Sequence, residues 1–188
     1  MVNFYENQQY LEKYSNIRLP SGYLLPPLCA AVRENDNHSI ILLLESGANP
    51  NCTDGWYHRN ALHWAGLRGC NERALEMILE KISNVNAPDW YGFTPLIYSA
   101  KKNKLNVMIS LMNFPNININ YQSIINNKWT ALHQAVYSNN YQIVEQLLRY
   151  ININLNLKDK WNRTPLKVTI KKGFVKCEKI LRDNNAIE

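Results

Sequence analysis

The amino-acid sequence predicts an all-α solenoid of about five helix-turn-helix repeats, stacked in chain order and joined by β-hairpin-like fingers. Three observations predict it. A tetrapeptide returns five times, as Pro26-Pro27-Leu28-Cys29, Asn60-Ala61-Leu62-His63, Thr94-Pro95-Leu96-Ile97, Thr130-Ala131-Leu132-His133 and Thr164-Pro165-Leu166-Lys167, at spacings of 34, 34, 36 and 34 residues. A small residue follows each tetrapeptide at a fixed distance, at Ala31, Ala65, Ser99, Ala135 and Thr169. A polar break then comes at Asn35, Gly69, Asn103, Asn139 and Gly173, and an apolar run after it. A fixed period in this range is the signature of one supersecondary unit stacked on the next. It directs the functional expectation toward recognition along an extended surface.

Each element has a local cause. Thr94, Thr130 and Thr164 stand where a side-chain oxygen caps a helix N-terminus, and Asn60 can do the same. Pro95 and Pro165 then fall in the first helical turn, where a missing N–H costs nothing. The repeated tetrapeptide predicts first helices beginning near residues 27, 61, 95, 131 and 165. Leu28, Leu62, Leu96, Leu132 and Leu166 point into the stack, and the small residue after them lets paired helices approach. The break residues turn the chain back. The runs at 40–44, 75–79, 107–112 and 143–148 are amphipathic at helical period, and the run at 175–181 is more polar. Asn51, Asn86, Asn120 and Asn156 close the repeats and suit a turn leading into the next finger.

The pattern resembles the ankyrin repeat, which reads Asp-x-x-Gly-x-Thr-Pro-Leu-His-x-Ala, a break, then Leu-Leu and Gly-Ala-(Asp/Asn)-x-Asn. Residues 89–96 match its opening and residues 43–51 its close. The resemblance covers residues 25–188. Pro26 and Asn60 replace the capping Thr, and Ala61 and Ala131 replace the Pro. Cys29, Ile97 and Lys167 replace the His, so the family's histidine hydrogen bonds are expected only at His63 and His133. One additional residue precedes Asn60, and the 36-residue spacing implies a longer loop at 115–128. The domain organisation read from this is a capping segment at 1–24 and a repeat domain at 25–188. Its repeats lie at about 25–51, 52–86, 87–120, 121–156 and 157–188. Phe4, Tyr5, Tyr10, Leu11 and Tyr14 are the apolar residues of the cap.

No apolar run reaches the roughly 20 residues needed to span a bilayer, and neither a secretory leader nor prenylation is expected from the residues at the two ends. The four cysteines, Cys29, Cys52, Cys70 and Cys177, have no metal-ligand spacing. That pattern fits separated thiols in a reducing cytosol. No cofactor or metal is expected. The abundance of Asn, Ile and Lys is that of an AT-rich genome, such as those of intracellular bacteria and large DNA viruses. By analogy with the family this implies an effector or adaptor in a host cell, cytoplasmic there or secreted into the host cytosol.

The net charge of +6 is unevenly placed. Between Lys158 and Asp183 nine basic residues face Asp159, Glu178 and Asp183, so this segment alone is +6 and the remainder sums to zero. A polar outer face on a terminal repeat accounts for Lys176, Lys179 and Arg182. It does not account for one sign of charge, which points to a partner with an acidic surface. No phosphate-binding loop, dinucleotide fingerprint, nucleophile elbow or His-Glu-x-x-His occurs, so no catalytic residue is assigned and the chain is not expected to be an enzyme. A lowered thiol pKa at Cys70, beside Arg68, lacks a base in register and is read as an ordinary cysteine.

The resemblance places contact residues on finger tips and on the exposed face of the first helices. In this chain these are Trp56, Tyr57, Arg59 and Arg68; Trp90, Tyr91, Phe93, Lys101 and Lys102; Trp129 and Tyr137; and Lys160, Trp161, Arg163, Lys171 and Lys172. Four of the five tryptophans fall on fingers, and Trp64 lies inside a first helix. Such a row either stiffens the array by stacking or forms a binding strip, since Trp, Tyr and Arg dominate binding hot spots. The expected ligand is a protein bound by a monomer. Binding of a nucleic acid or acidic phospholipid through the basic last repeat is the alternative.

Overall fold

The structure is a computed structural model that describes residues 12–19 and 22–188. Phe4, Tyr5, Tyr10 and Leu11 lie outside the described residues. After a helical turn at 12–15, the described residues form ten helices. They make five hairpins: α1 (Pro27–Arg33) with α2 (Asn37–Glu45), α3 (Ala61–Arg68) with α4 (Glu72–Lys81), α5 (Pro95–Lys101) with α6 (Leu105–Met112), α7 (Ala131–Tyr137) with α8 (Tyr141–Leu148), and α9 (Pro165–Lys172) with α10 (Val175–Asp183). The first helices therefore begin at the five residues that the repeated tetrapeptide predicts.

The caps are made as the residue types require. Asn60, Thr94, Thr130 and Thr164 accept the N–H three residues on, from His63, Ile97, His133 and Lys167. Pro26 makes no side-chain cap. At His63 and His133 the bond is reciprocal: the backbone N–H of Asn60 donates to His63 Nδ1 at 3.2 Å and that of Thr130 to His133 Nδ1 at 3.4 Å. Both imidazoles are fully buried, and burial pushes their pKa down, for His63 from 6.5 to about 4. All five break residues have positive φ, at 57, 87, 54, 54 and 70° for Asn35, Gly69, Asn103, Asn139 and Gly173. Asn tolerates the left-handed region better than other side chains. Gly69 adopts φ 87° with ψ 167°, a region essentially restricted to glycine.

Each first helix packs on the next, α1 through α9 in order. The five repeat leucines are buried between them. α3 and α5 approach closely at Gly66, where a Cβ would lie 2.6 Å from the Pro95 carbonyl oxygen. On the opposite edge the closing asparagines form a ladder from repeat to repeat. Asn51 accepts the Ser83 N–H and donates to the Lys81 carbonyl, at 2.8 and 3.0 Å. Asn86 does the same with Asn118 and Asn116, and Asn120 with Asn154 and Asn152, each bond at 2.8 Å. Asn156 accepts the Ile187 N–H at 2.9 Å.

The fingers are hairpin-like without a strand ladder. Backbone bonds close them at the base, from Asp54 N–H to Arg59 O, Asp89 to Phe93, Ser123 to Trp129 and Asp159 to Arg163, at 2.9 to 3.1 Å. The isolated bridge among the described residues, Arg18 with Leu24, precedes the first repeat instead of lying on a finger. Ahead of that repeat Tyr14 is buried and its hydroxyl donates to Asp36 at 2.7 Å. Burial alone would raise the Asp36 pKa, but bonds from Lys13, Ser39 and Tyr14 outweigh it and hold the carboxyl well below the usual range.

Candidate functional site

Fingers and first helices meet along one side of the stack, and aspartates tie the finger bases. Asp89 Oδ1 accepts the N–H groups of Tyr91 and Phe93 at 3.0 and 2.9 Å. Its Oδ2 accepts the Tyr98 hydroxyl at 2.6 Å and Arg59 Nε at 3.0 Å. Asp159 repeats the arrangement with the N–H groups of Trp161 and Arg163, the Arg163 guanidinium and Trp129 Nε1. Burial works to raise the Asp159 pKa, and the bonds from Arg163 and Trp161 overcome it, so it is lowered. Neighbouring fingers are also joined: the Trp90 N–H donates to Tyr57 O at 2.8 Å and that of Lys160 to Asn127 O at 2.9 Å.

With the bases fixed, the tips are held out in water. Trp90 is 65% exposed, Trp161 51%, Trp56 46% and Tyr91 41%. Tyr57 is half-buried and packs on Tyr91 with ring centres 5.6 Å apart. Trp90 stacks on His58 at 5.7 Å, and Trp56 packs against Tyr23 in a tilted arrangement at 5.2 Å. Stacking and exposure therefore coexist in the same rings. Lys160 and Arg163 both lie 4.4 Å from the Trp161 ring centre, and Lys172 lies 4.5 Å from that of Tyr137. Lys160, Lys171 and Lys172 are exposed, as are Arg68, Lys102 and Tyr137. Lys101 is half-buried over Phe93, and burial together with Lys102 and Arg59 lowers its pKa.

Two residues of the sequence-derived row are corrected. Phe93 and Trp129 are only 5% and 7% exposed. Both immediately precede a capping threonine, where the chain bends into the first helix and the side chain folds against it. Phe93 meets Tyr98 at 5.2 Å and Trp129 meets Tyr137 at 4.7 Å. Arg59 and Arg163 occupy the same register and are consumed largely by Asp89 and Asp159, with side chains 13% and 20% exposed. Arg59 lies within 6 Å of the rings of Tyr57, Trp64, Tyr91 and Tyr98. That register binds the fold more than it faces a ligand.

Ile124 and Ile125, 83% and 69% exposed, are absent from the sequence-derived row. They occupy the finger of the fourth repeat, which takes six steps from Ser123 to Trp129 where that of the third repeat takes four from Asp89 to Phe93. The 36-residue spacing signals that lengthening. Ile125 shares an apolar recess with Trp90 and Tyr91.

Open cups lie between fingers and first helices. One of about 360 Å³ is lined by Arg59, Trp64, Leu67, Arg68, Lys102 and Lys104. Another of about 370 Å³ lies by Tyr91, Tyr98 and Lys101. A third of about 310 Å³ lies by Trp161, Tyr137, Lys171 and Lys172. Such cups offer cations and aromatic faces. Cys29, Cys70 and Cys177 are buried, and burial pushes their pKa up, for Cys70 to about 12, whereas Cys52 is exposed. Among the described residues no helix is long and apolar enough to cross a membrane.

A family model of three consecutive ankyrin repeats matches residues 28–123 and again 103–188. Among curated proteins, the chain is 26% identical over 170 residues to human transient receptor potential cation channel subfamily A member 1, covering 85% of the chain and 15% of that protein. It is 29% identical over 170 residues to the putative ankyrin repeat protein FPV031 of fowlpox virus, covering 87% of the chain and 46% of the relative. It is 30% identical over 158 residues to the probable 26S proteasome regulatory subunit p28 of Saccharomyces cerevisiae, covering 82% of the chain and 68% of the relative. The chain thus spans less than half of the first two relatives.

Proposed function

The chain belongs to the ankyrin-repeat family, whose repeats mediate protein–protein interaction and are typically non-catalytic scaffolds; from that premise we propose that it binds a protein partner through its finger tips and the adjoining concave face. The observation that carries this reading is the exposure of Trp90, Tyr91 and Trp161 on tips whose bases are pinned by buried aspartates. Rigid exposed aromatics contribute affinity at low entropic cost. Lys160, Lys171 and Lys172 add positive charge at one end of the row, so the partner surface there is acidic. Residues 1–24 serve as a cap and residues 25–188 as the binding domain, acting as a monomer. Similarity to a poxvirus ankyrin-repeat protein supports an adaptor or effector role in a host cytoplasm.

The excess of basic residues at 158–183 favours a second reading, binding of a nucleic acid or acidic phospholipid by the last repeat. A salt titration of the bound complex separates the two. Polyanion binding weakens steeply and linearly on a logarithmic salt scale. A protein partner held by aromatics loses association rate and keeps most of its lifetime. Reversing Lys160, Lys171 and Lys172 to Glu should slow association at low salt by about tenfold or more. Unchanged association in that variant would reject both the acidic partner surface and the polyanion.

A further inference from the structure

Trp64, which lines the cup beside α3, carries an unanswered donor. Trp64 is only 6% exposed, and its Nε1–H has neither a hydrogen-bond partner nor solvent contact. A buried indole N–H without an acceptor is a standing penalty. The charged groups lining the cup, Arg59, Arg68, Lys102 and Lys104, can only donate. Arg59 is occupied by Asp89 and Tyr98. Arg68, Lys102 and Lys104 form no ion pair among the described residues. The side chains lining the cup therefore bring donors and positive charge and no carboxylate.

We infer that this cup is a carboxylate site that takes a glutamate side chain from a partner segment. One carboxylate oxygen accepts the Trp64 Nε1–H, and the other lies among Arg68, Lys102 and Lys104. The indole ring and Leu67 give an apolar wall for the glutamate methylenes, which free phosphate does not have. A volume of about 360 Å³ suits one side chain and not a folded surface. Arg68 and Lys102 are exposed, so they can re-orient as the ligand enters. A charge-assisted bond to a desolvated donor is stronger than one in water. The inference rests on the reading of this face as a partner-binding surface, but the two can fail separately.

The test is NMR of the tryptophan indole N–H signals, with Trp64→Phe assigning the relevant one. The probes are a short blocked glutamate peptide, its glutamine counterpart and inorganic phosphate at equal concentration. The glutamate peptide should shift the Trp64 signal saturably, glutamine should leave it in place, and phosphate should shift it far less. Arg68→Glu and Lys104→Glu, both at the rim, should weaken the glutamate response by about tenfold each. They keep the experiment decisive if Trp64→Phe folds poorly. An unmoved Trp64 signal, an equal response to phosphate, or full affinity in both rim variants would overturn the site. Loss of this response while partner binding still depends on Trp90 and Trp161 would reject the cup alone. An intact response with no dependence on the tips would reject the wider reading and keep the cup.

Discussion

At the residue scale the buried histidines show how one side chain links local structure to stability. His63 Nδ1 accepts the Asn60 N–H only while that nitrogen is unprotonated. Burial lowers the His63 pKa from 6.5 to about 4, so the unfolded chain takes up protons between those values and the folded chain does not. Stability is therefore full above pH 6.5 and is lost as pH falls toward about 4, by about 2–4 kcal/mol from this residue. His63→Gln should lower stability at pH 7, where the cap bond is missing, and flatten the slope over that window. Equal slopes in denaturant melts of both proteins would reject the assignment. The histidine role was legible because the tetrapeptide carries it at a capping position. The burial of Phe93 and Trp129 was not, because finger residues one place apart face opposite ways and only the bend before the cap decides which.

At the scale of elements, period and punctuation carried the fold. Five helix starts and five positive-φ breaks were readable because capping, proline placement and left-handed turns are local choices. The inter-repeat bonds were not readable. Asn51, Asn86, Asn120 and Asn156 look like turn residues in sequence, and their reach to the next repeat depends on tertiary spacing. Asn120→Ala should leave the Asn154 N–H and the Asn152 carbonyl without their side-chain partner and cost about 1–3 kcal/mol. At Gly66 the neighbour is backbone, the Pro95 carbonyl at 2.6 Å from an added Cβ. Gly66→Ala should therefore destabilise by about 1–3 kcal/mol despite the better helix propensity of alanine. A melt unchanged or improved by Gly66→Ala would mean that α3 and α5 are not this close. In the central repeats Leu96→Ala and Leu132→Ala should each cost about 2–5 kcal/mol, since both leucines are buried between neighbouring helices.

At the scale of the whole molecule, stacking sets helices on one side for stability and leaves a row of tips on another for contact. The aspartates at the finger bases connect the two, because they convert buried electrostatics into fixed positions for exposed rings. The aromatic row was visible in sequence as four tryptophans at repeating places, whereas the cups were not, since they arise between repeats. Whether the row binds, or only stacks, is decided by separating binding from folding. Trp161 offers the cleanest separation, being 51% exposed with cationic neighbours at 4.4 Å. Trp90 offers a second, stacked on His58. The decisive measurement compares thermal melting and partner retention for Trp90→Ala and Trp161→Ala against the unaltered protein. The account predicts stability losses of no more than about 1 kcal/mol each and partner affinity weakened by about tenfold or more. Loss of stability and binding in proportion, or retention of full affinity in both variants, would contradict it.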